Sequence, residues 1–338
     1  MKRITLIFSL IALLMIFSSL NEASAQKPIE LSYSIFWPPV HEFTISGAEW
    51  AKEIEKRTNG RVKITIFPGG TLTPADKTYQ GVIKGIADIG WAPTAYTRGR
   101  FPFTETVELP FGNKSGVMAT KLINEIFKRF QPKEFDEVKL MYLHAHGPGL
   151  FHTKKPIRSL EDLKGMKIRA GGGRNLDMVK TLGGAPVGMP MGDSYDALSK
   201  GVVEGLLSPF EALVGWKLAE VVKYTTECYA ISYSSAQFIA MNKGKWDALP
   251  ADIQKIIEKV NEEWVEKSGK VWDEMDKKGR EFSLKLGNKI ISLSKEEGER
   301  WVKTVRPLFD TFVNDMKAKG LPGEEVLKFC LDFVKKDQ

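Results

Sequence analysis

The chain is poor in cysteine, in histidine and in long apolar runs, and each scarcity removes a class of protein. Its 338 residues contain two cysteines, Cys228 and Cys330, too few for a disulfide-built scaffold. Neither stands in a C-x-x-C pair, so redox and zinc-ribbon motifs are missing, and the sequence leaves open whether the two bond to each other. There is no H-E-x-x-H, no G-x-S-x-G, no P-loop and no G-x-G-x-x-G opening a helix. Ser194, in "GDSYD", has no base in sight. A hydrolase reading is therefore an alternative without a motif, and the chain reads as no enzyme, with no cofactor. No charge sign dominates: 49 Lys and Arg against 42 Asp and Glu give a net +7. Lys and Glu alternate on the C-terminal segments as on solvated faces, and no basic block carries interleaved aromatics. Nucleic acid is thereby excluded as a partner, whereas a mild positive excess suits small anions at the encounter stage.

Lys2 and Arg3 precede an apolar run from Leu6 to Phe17, broken only by Ser9, and "ASA" at Ala23–Ala25 is a small-x-small cleavage pattern. Residues 1–25 are thus expected to be a secretory signal peptide, cleaved after Ala25 to leave Gln26 first and the protein in the periplasm. Beyond it nothing approaches the ~20 apolar residues of a membrane span. The remaining chain exceeds the ~250–300 residues at which one core stops growing, so two domains are expected.

The organisation supports this. "IELSYS" alternates as a strand; a helix from about His41 to Asn59 follows, with Phe43, Gly47, Ala48, Ala51 and Ile54 on one face and Gly60 as stop. "RVKITIF" is a second strand, "KTYQGVIKG" a helix and "IADIGW" a third strand. This β-α-β-α-β order specifies a parallel sheet, whose ligands bind at the carboxyl ends of the strands. Two loops fall on that edge: "FWPPVH", stiffened by its prolines, and "WAPTAYTRGRF". They present Trp37, Trp91 and Tyr96. The second half repeats the pattern through "KLMYLHAHG", "MKIRAGGG" and "VVEGLLSP". From Pro250 to about Gly287 the spacing of Ile253, Ile256, Ile257, Val260, Trp264, Val271, Trp272 and Met275 gives one helix of roughly 50 Å. That is long enough to brace two lobes.

The stretch "DLKGMKIRAGGGRNLDMVKTLGGAPVGMPMGDSYDALSKGVVEGLLSPFEAL", Asp162–Leu213, resembles the solute-binding proteins of TRAP transporters, the DctP family, in an ordered match from Asp162 to Pro209, and "KWDALPADIQKII" at Lys245–Ile257 agrees with it. The resemblance implies an α/β, two-lobed periplasmic binding protein fold, each lobe a mostly parallel sheet flanked by helices, with a long helix spanning both. Lobe I is set at 26–148 plus about 232–268, and lobe II at 149–231 plus about 269–338. It further implies a monomeric receptor that closes on a small organic acid and delivers it to an ion-coupled permease of DctQ/DctM type. The arginine of "KIR" is Arg169, which in the family grips the ligand carboxylate in a two-pronged contact. Guanidinium geometry suits this, since it is planar and always charged. The chain departs from the family at "HAHGPGLFHTKKPI", where many members carry a second arginine and this one has none. With the aromatic loops, that favours a monocarboxylate with an apolar or aromatic body, a 2-oxo or 2-hydroxy acid.

Other residues admit two readings each. Arg169 could instead pair with Glu211, which could also orient it or seal the hinge. Trp37, Trp91 and Tyr96 serve either as ligand wall or as packing, and so do Phe210, Pro190 and the adaptable Met191. His144 and His146, two apart on a strand, share a face. With His41 they offer an alternative three-histidine zinc site, against ligand or backbone hydrogen bonding.

Overall fold

In this computed structural model residues 27–336 are described, so the signal peptide expected over residues 1–25 lies outside them. The chain starts β1 (Ile29–Ile35), α1 (Glu42–Arg57), β2 (Val62–Phe67), α2 (Thr78–Ile83) and β3 (Ile89–Pro93). Two 3-10 turns, Thr94–Tyr96 and Thr104–Glu108, lead to α3 (Gly116–Phe130) and β4 (Val138–Ala145). The middle section is β5 (Leu150–Thr153), α4 (Leu160–Leu163), β6 (Lys167–Ala170), α5 (Gly173–Thr181), β7 (Ala185–Gly188), α6 (Ser194–Ser199), β8 (Gly205–Ser208), α7 (Glu211–Gly215) and β9 (Tyr224–Glu227). The last section is β10 (Ala236–Asn242), α8 (Lys243–Asp247), α9 (Ala251–Lys285), β11 (Lys289–Ser292), α10 (Lys295–Val305), α11 (Pro307–Ala318) and α12 (Gly323–Lys336). None of the described helices is long and apolar enough to cross a membrane.

Two sheets form two lobes, ordered β2-β1-β3-β10-β4 and β11-β9-β5-β8-β6-β7. β1 pairs in parallel with both β2 and β3, as the crossover helices require. The sheets are nevertheless mixed. β10 runs antiparallel to β3 and β4, and β5 antiparallel to β8 and β9. These are the strands by which the chain passes between lobes, and a strand arriving from the other lobe need not share the direction of the local βαβ units. The reversal has a consequence for the site: the beginning of β10, not its end, lies beside the carboxyl ends of β3 and β4.

The alternation of β1 buries Leu31, Tyr33 and Ile35 in the first core. Its corner is rigid for reasons visible in the backbone. The Trp37 carbonyl accepts from Gly69 N at 2.8 Å, and the Pro38 carbonyl accepts from Thr44 Oγ1 at 2.8 Å and His41 N at 3.0 Å. His41 then caps α1, its Nδ1 accepting from Phe43 N at 3.2 Å.

α9 runs over both lobes, contacting α1, α3 and β4 of the first and α7 and β11 of the second. Three of its polar side-chain bonds reach the first lobe: Trp50 Nε1 to Asn261 Oδ1 (3.0 Å), Trp264 Nε1 to the Ser46 carbonyl (3.1 Å) and Trp272 Nε1 to His144 Nδ1 (2.8 Å). The boundary set at about 269 does not divide the C-terminal helices. α12 returns to the first lobe, where Glu325 pairs with Arg129 on α3 at 3.1 Å and Phe329 meets Phe130. Cys228 and Cys330 are both buried and free.

Candidate functional site

The carboxyl ends of β1, β3, β6 and β8 converge from the two sheets on one cavity of about 440 Å³ of atom-free space, partly open to solvent. Its apolar walls are Phe36 and Trp37 from the β1 corner, Pro93 at the end of β3, Met191, and Trp272 of α9. Trp37 is held in place by stacking on His41 (ring centroids 4.3 Å) and by a tilted contact with Phe36 (4.3 Å).

Arg169 enters from β6, fixed in register by pairing with Val187 and Leu206. Its residue is 3 % exposed and lines the cavity. Nε and Nη2 donate to the Met189 carbonyl at 3.1 and 2.8 Å, and Nη2 also reaches Tyr96 Oη at 3.4 Å. Nη1 forms no hydrogen bond, and no carboxylate of the described residues comes within ion-pair distance. A buried guanidinium without a counter-charge is costly. The fold tolerates it here with a backbone carbonyl clamping one side and the cavity lying on the other.

Glu211, the alternative partner, is engaged elsewhere: its Oε1 accepts from His41 Nε2 at 2.6 Å, joining α7 of the second lobe to the N-cap of α1 in the first. Tyr96 also bridges, since its hydroxyl accepts from Met191 N at 2.9 Å. A third bridge was not foreseen from the sequence. Glu108 of the first lobe accepts from Arg174 N at the start of α5 (3.0 Å) and from Ser235 Oγ (3.1 Å). Burial and the neighbouring Glu105 push its pKa up to about 8. The glycines of "AGGG" make room for it. Gly173 holds φ +53° against the Glu108 carboxyl, and a side chain on Gly172 would strike the Ala95 carbonyl.

Of the residues singled out in sequence, Trp37, Tyr96, His146, Arg169, Met191 and Glu211 line the cavity. Trp91 lies in the first core, edge-on to Trp37, Phe43 and His144. His41 stands behind Trp37 and His144 behind Trp272. Pro190 borders a neighbouring cleft, with Arg98 and Lys180, and Phe210 a separate depression with Tyr229 and Asp276. The alternative zinc cluster is not formed. His41, His144 and His146 bond to three different partners, and no group of three or more His, Cys, Asp and Glu that could hold a metal occurs among the described residues.

The cavity wall also includes Asn175 and Gln237. A lone glutamine in the apolar strand "AQFIAMN" and an asparagine two residues after "AGGG" were the available signals. Neither says which way the side chain faces until β10 is known to run antiparallel and α5 to start at the cleft.

The comparisons agree with this architecture. Residues 33–315 match the DctP family, described as bacterial extracellular solute-binding protein, family 7. A TRAP periplasmic solute binding protein from Desulfovibrio salexigens DSM2638 is 35 % identical, with a TM-score of 0.79 over 91 % of this chain and 96 % of that one. A TRAP solute binding protein from Rhodoferax ferrireducens T118, in complex with copurified benzoate, is 29 % identical, with a TM-score of 0.84 over 91 % and 98 %. A marine metagenome TRAP solute binding protein specific for aromatic acid ligands, in complex with metahydroxyphenylacetate, is 28 % identical, with a TM-score of 0.87 over 91 % and 99 %. Such proteins are periplasmic receptors rather than enzymes; they bind small organic acids and work with membrane permease components. The chain belongs to the DctP family of TRAP-transporter solute-binding proteins.

Proposed function

We propose that this protein captures a monocarboxylate with an apolar, aromatic body between its lobes and passes it to a permease of DctQ/DctM type. The observation that carries the reading is Arg169: a buried guanidinium with a free Nη1, no acidic partner, and an aromatic cavity in front of it. A carboxylate would supply the missing counter-charge through charge-assisted hydrogen bonds. Arg169 is also the sole Lys or Arg in that wall, which disfavours ligands with two carboxylates. Flat walls at Trp37, Phe36 and Trp272 suit a flat apolar body. The benzoate and metahydroxyphenylacetate complexes of similar receptors point the same way.

The mechanism is ligand-biased closure. Arg169 belongs to the second lobe and Trp37 and Tyr96 to the first, so only the closed form offers all three to one ligand. A ligand shifts the open–closed balance by its differential affinity for the two forms. Export through the leader ending at Ala25 and action as a monomer complete the proposal. A thermal-shift and calorimetric panel of benzoate, phenylacetate, succinate and glucuronate tests it. Aromatic monocarboxylates should raise the melting temperature and be recovered unchanged. Preferential binding of succinate or glucuronate would reject the proposed ligand class.

A further inference from the structure

In the cavity wall Trp37 Nε1 is buried without a partner, and three further polar side chains lack partners for the groups they could offer a ligand. Asn175, 1 % exposed on α5, and Gln237, 3 % exposed on β10, make no side-chain hydrogen bond among the described residues. The third is His146, just past the end of β4. Its Nδ1 lies 2.6 Å from the Gly147 carbonyl. A carbonyl oxygen can only accept, so Nδ1 carries a proton. Burial, and the positive charge of Arg169 nearby, hold the ring's pKa down at about 4. At neutral pH the second nitrogen, Nε2, is therefore a bare acceptor, and no described residue donates to it. Buried polar groups left unpaired are costly in a folded protein, and those that meet on the wall of one cavity are placed where a ligand can pair with them.

The chemistry of that something is narrow. A second carboxylate has no second cation to meet, and the Nε2 lone pair would repel it. An ammonium has no free anion: Glu211 is taken by His41, and Glu108 is bonded to Arg174 N and Ser235 with its pKa raised to about 8. A ketone or ether could accept from the amides but has no proton for His146. A hydroxyl does both, donating to Nε2 while its oxygen accepts from an amide N–H of Asn175 or Gln237.

We infer that His146, Asn175 and Gln237 form a second recognition subsite that reads a hydroxyl on the same monocarboxylate that Arg169 holds, so that hydroxy acids are preferred over both their parent acids and their oxo counterparts. The inference rests on the carboxylate reading above and deepens it. A site built to hydrogen-bond a hydroxyl discriminates strongly, because the analogue lacking it leaves the buried groups unpaired.

The experiment is titration calorimetry at pH 7.5 with matched sets. One set is benzoate and its 2-, 3- and 4-hydroxy isomers; the other is phenylacetate, mandelate and phenylglyoxylate. The readout is the ratio of Kd for the parent or oxo acid to Kd for the hydroxy acid, in wild type, His146→Phe, His146→Gln and Gln237→Leu. The wild type should favour at least one hydroxy acid about tenfold or more over its parent. His146→Phe should bring that ratio to about one, and His146→Gln, which keeps an acceptor, should restore part of it. Gln237→Leu should lower the ratio independently, and stands in should His146→Phe fail to fold. A wild-type ratio near one, or a preference that survives both His146→Phe and Gln237→Leu, overturns the subsite while leaving the carboxylate site standing. Failure of every acid to bind the wild type removes the carboxylate reading and the subsite with it.

Discussion

Arg169 concentrates the ligand-binding argument in one side chain, and its neighbours say what replacing it would do. The Met189 carbonyl holds Nε and Nη2, leaving Nη1 for a ligand. Arg169→Ala should cost ~2–5 kcal/mol of binding, about 30-fold to several thousand-fold in Kd, as for truncation of one partner of a buried charge pair. Arg169→Lys should recover only part, because an ammonium cannot span a carbonyl clamp and a carboxylate with fixed planar geometry. Calorimetry with whichever acid the panel identifies gives both numbers, and an unchanged Kd in either variant would remove Arg169 from the site. Trp37 has a double burden. It lines the cavity but is also stacked on His41 and in ring contact with Phe43, Trp91, Trp216 and Trp272. Trp37→Ala should therefore weaken binding and also lower apo stability by about 3–5 kcal/mol, the usual cost of emptying an aromatic core position. Chemical denaturation beside titration separates the two effects. The sequence distinguishes Trp37 from Trp91 poorly, because both follow strands on the ligand edge. Only the packing shows that one faces the cavity and the other the core.

At the scale of elements, the lobes meet through α5, α7 and α9. The start of α5 is where closure is most tightly constrained, since Gly172 abuts the Ala95 carbonyl and Gly173 the Glu108 carboxyl. Gly172 sits at φ +151°, where a side chain is strained as well as obstructed. Gly172→Ala should hold the lobes apart and cost about 1–3 kcal/mol, read as a loss of ligand affinity. Small-angle scattering should then show less contraction on ligand addition than in the wild type; equal contraction would place the strain elsewhere. The glycines were legible in "AGGG", but the lobe that crowds them was not. Glu108 lies 65 residues earlier in a 3-10 turn, with no local pattern to mark it. The long helix was legible, because its apolar spacing persists over ten turns and needs no partner to be seen. β10 is hard to read from sequence, since its short apolar run, Phe238–Met241, fits a buried strand or a piece of helix equally.

For the whole molecule, buried ionisable groups set opposing dependences on pH. Burial lowers the pKa of His144 to about 3 and of His146 and His152 to about 4. Unfolded histidine takes a proton near 6.5, so in acid the unfolded chain binds more protons. The stability from these neutral rings is present above pH 6.5 and is lost as pH falls through about 4. Burial raises Glu108 and Glu134 to about 8 from 4.5, so their contribution is full below 4.5 and is lost as pH rises through about 8. Between 4.5 and 6.5 the two sets oppose each other. Between 6.5 and 8 the carboxyls act alone, each costing about 2 kcal/mol across that interval. Apo melting temperature should therefore decline from pH 6.5 to 8. Glu108→Gln, which keeps an oxygen for Arg174 N and turns an amide N–H toward the Ser235 hydroxyl, which can then accept, should flatten part of that decline. A slope unchanged in the variant would mean that Glu108 is ionised in the folded protein.

The sequence by itself determined the family and the βαβ frame of each lobe. It also supplied the long helix and the arginine that ends "KIR", because these are written in local periodicity and in one ordered stretch from Asp162 to Pro209. Only the tertiary structure decided the far wall of the cavity. Asn175, His146 and Gln237 come from α5, the end of β4 and the start of β10, which meet through sheet pairing and lobe contact. No spacing along the chain encodes that meeting, since it depends on strand direction and on how two separately folded sheets face one another.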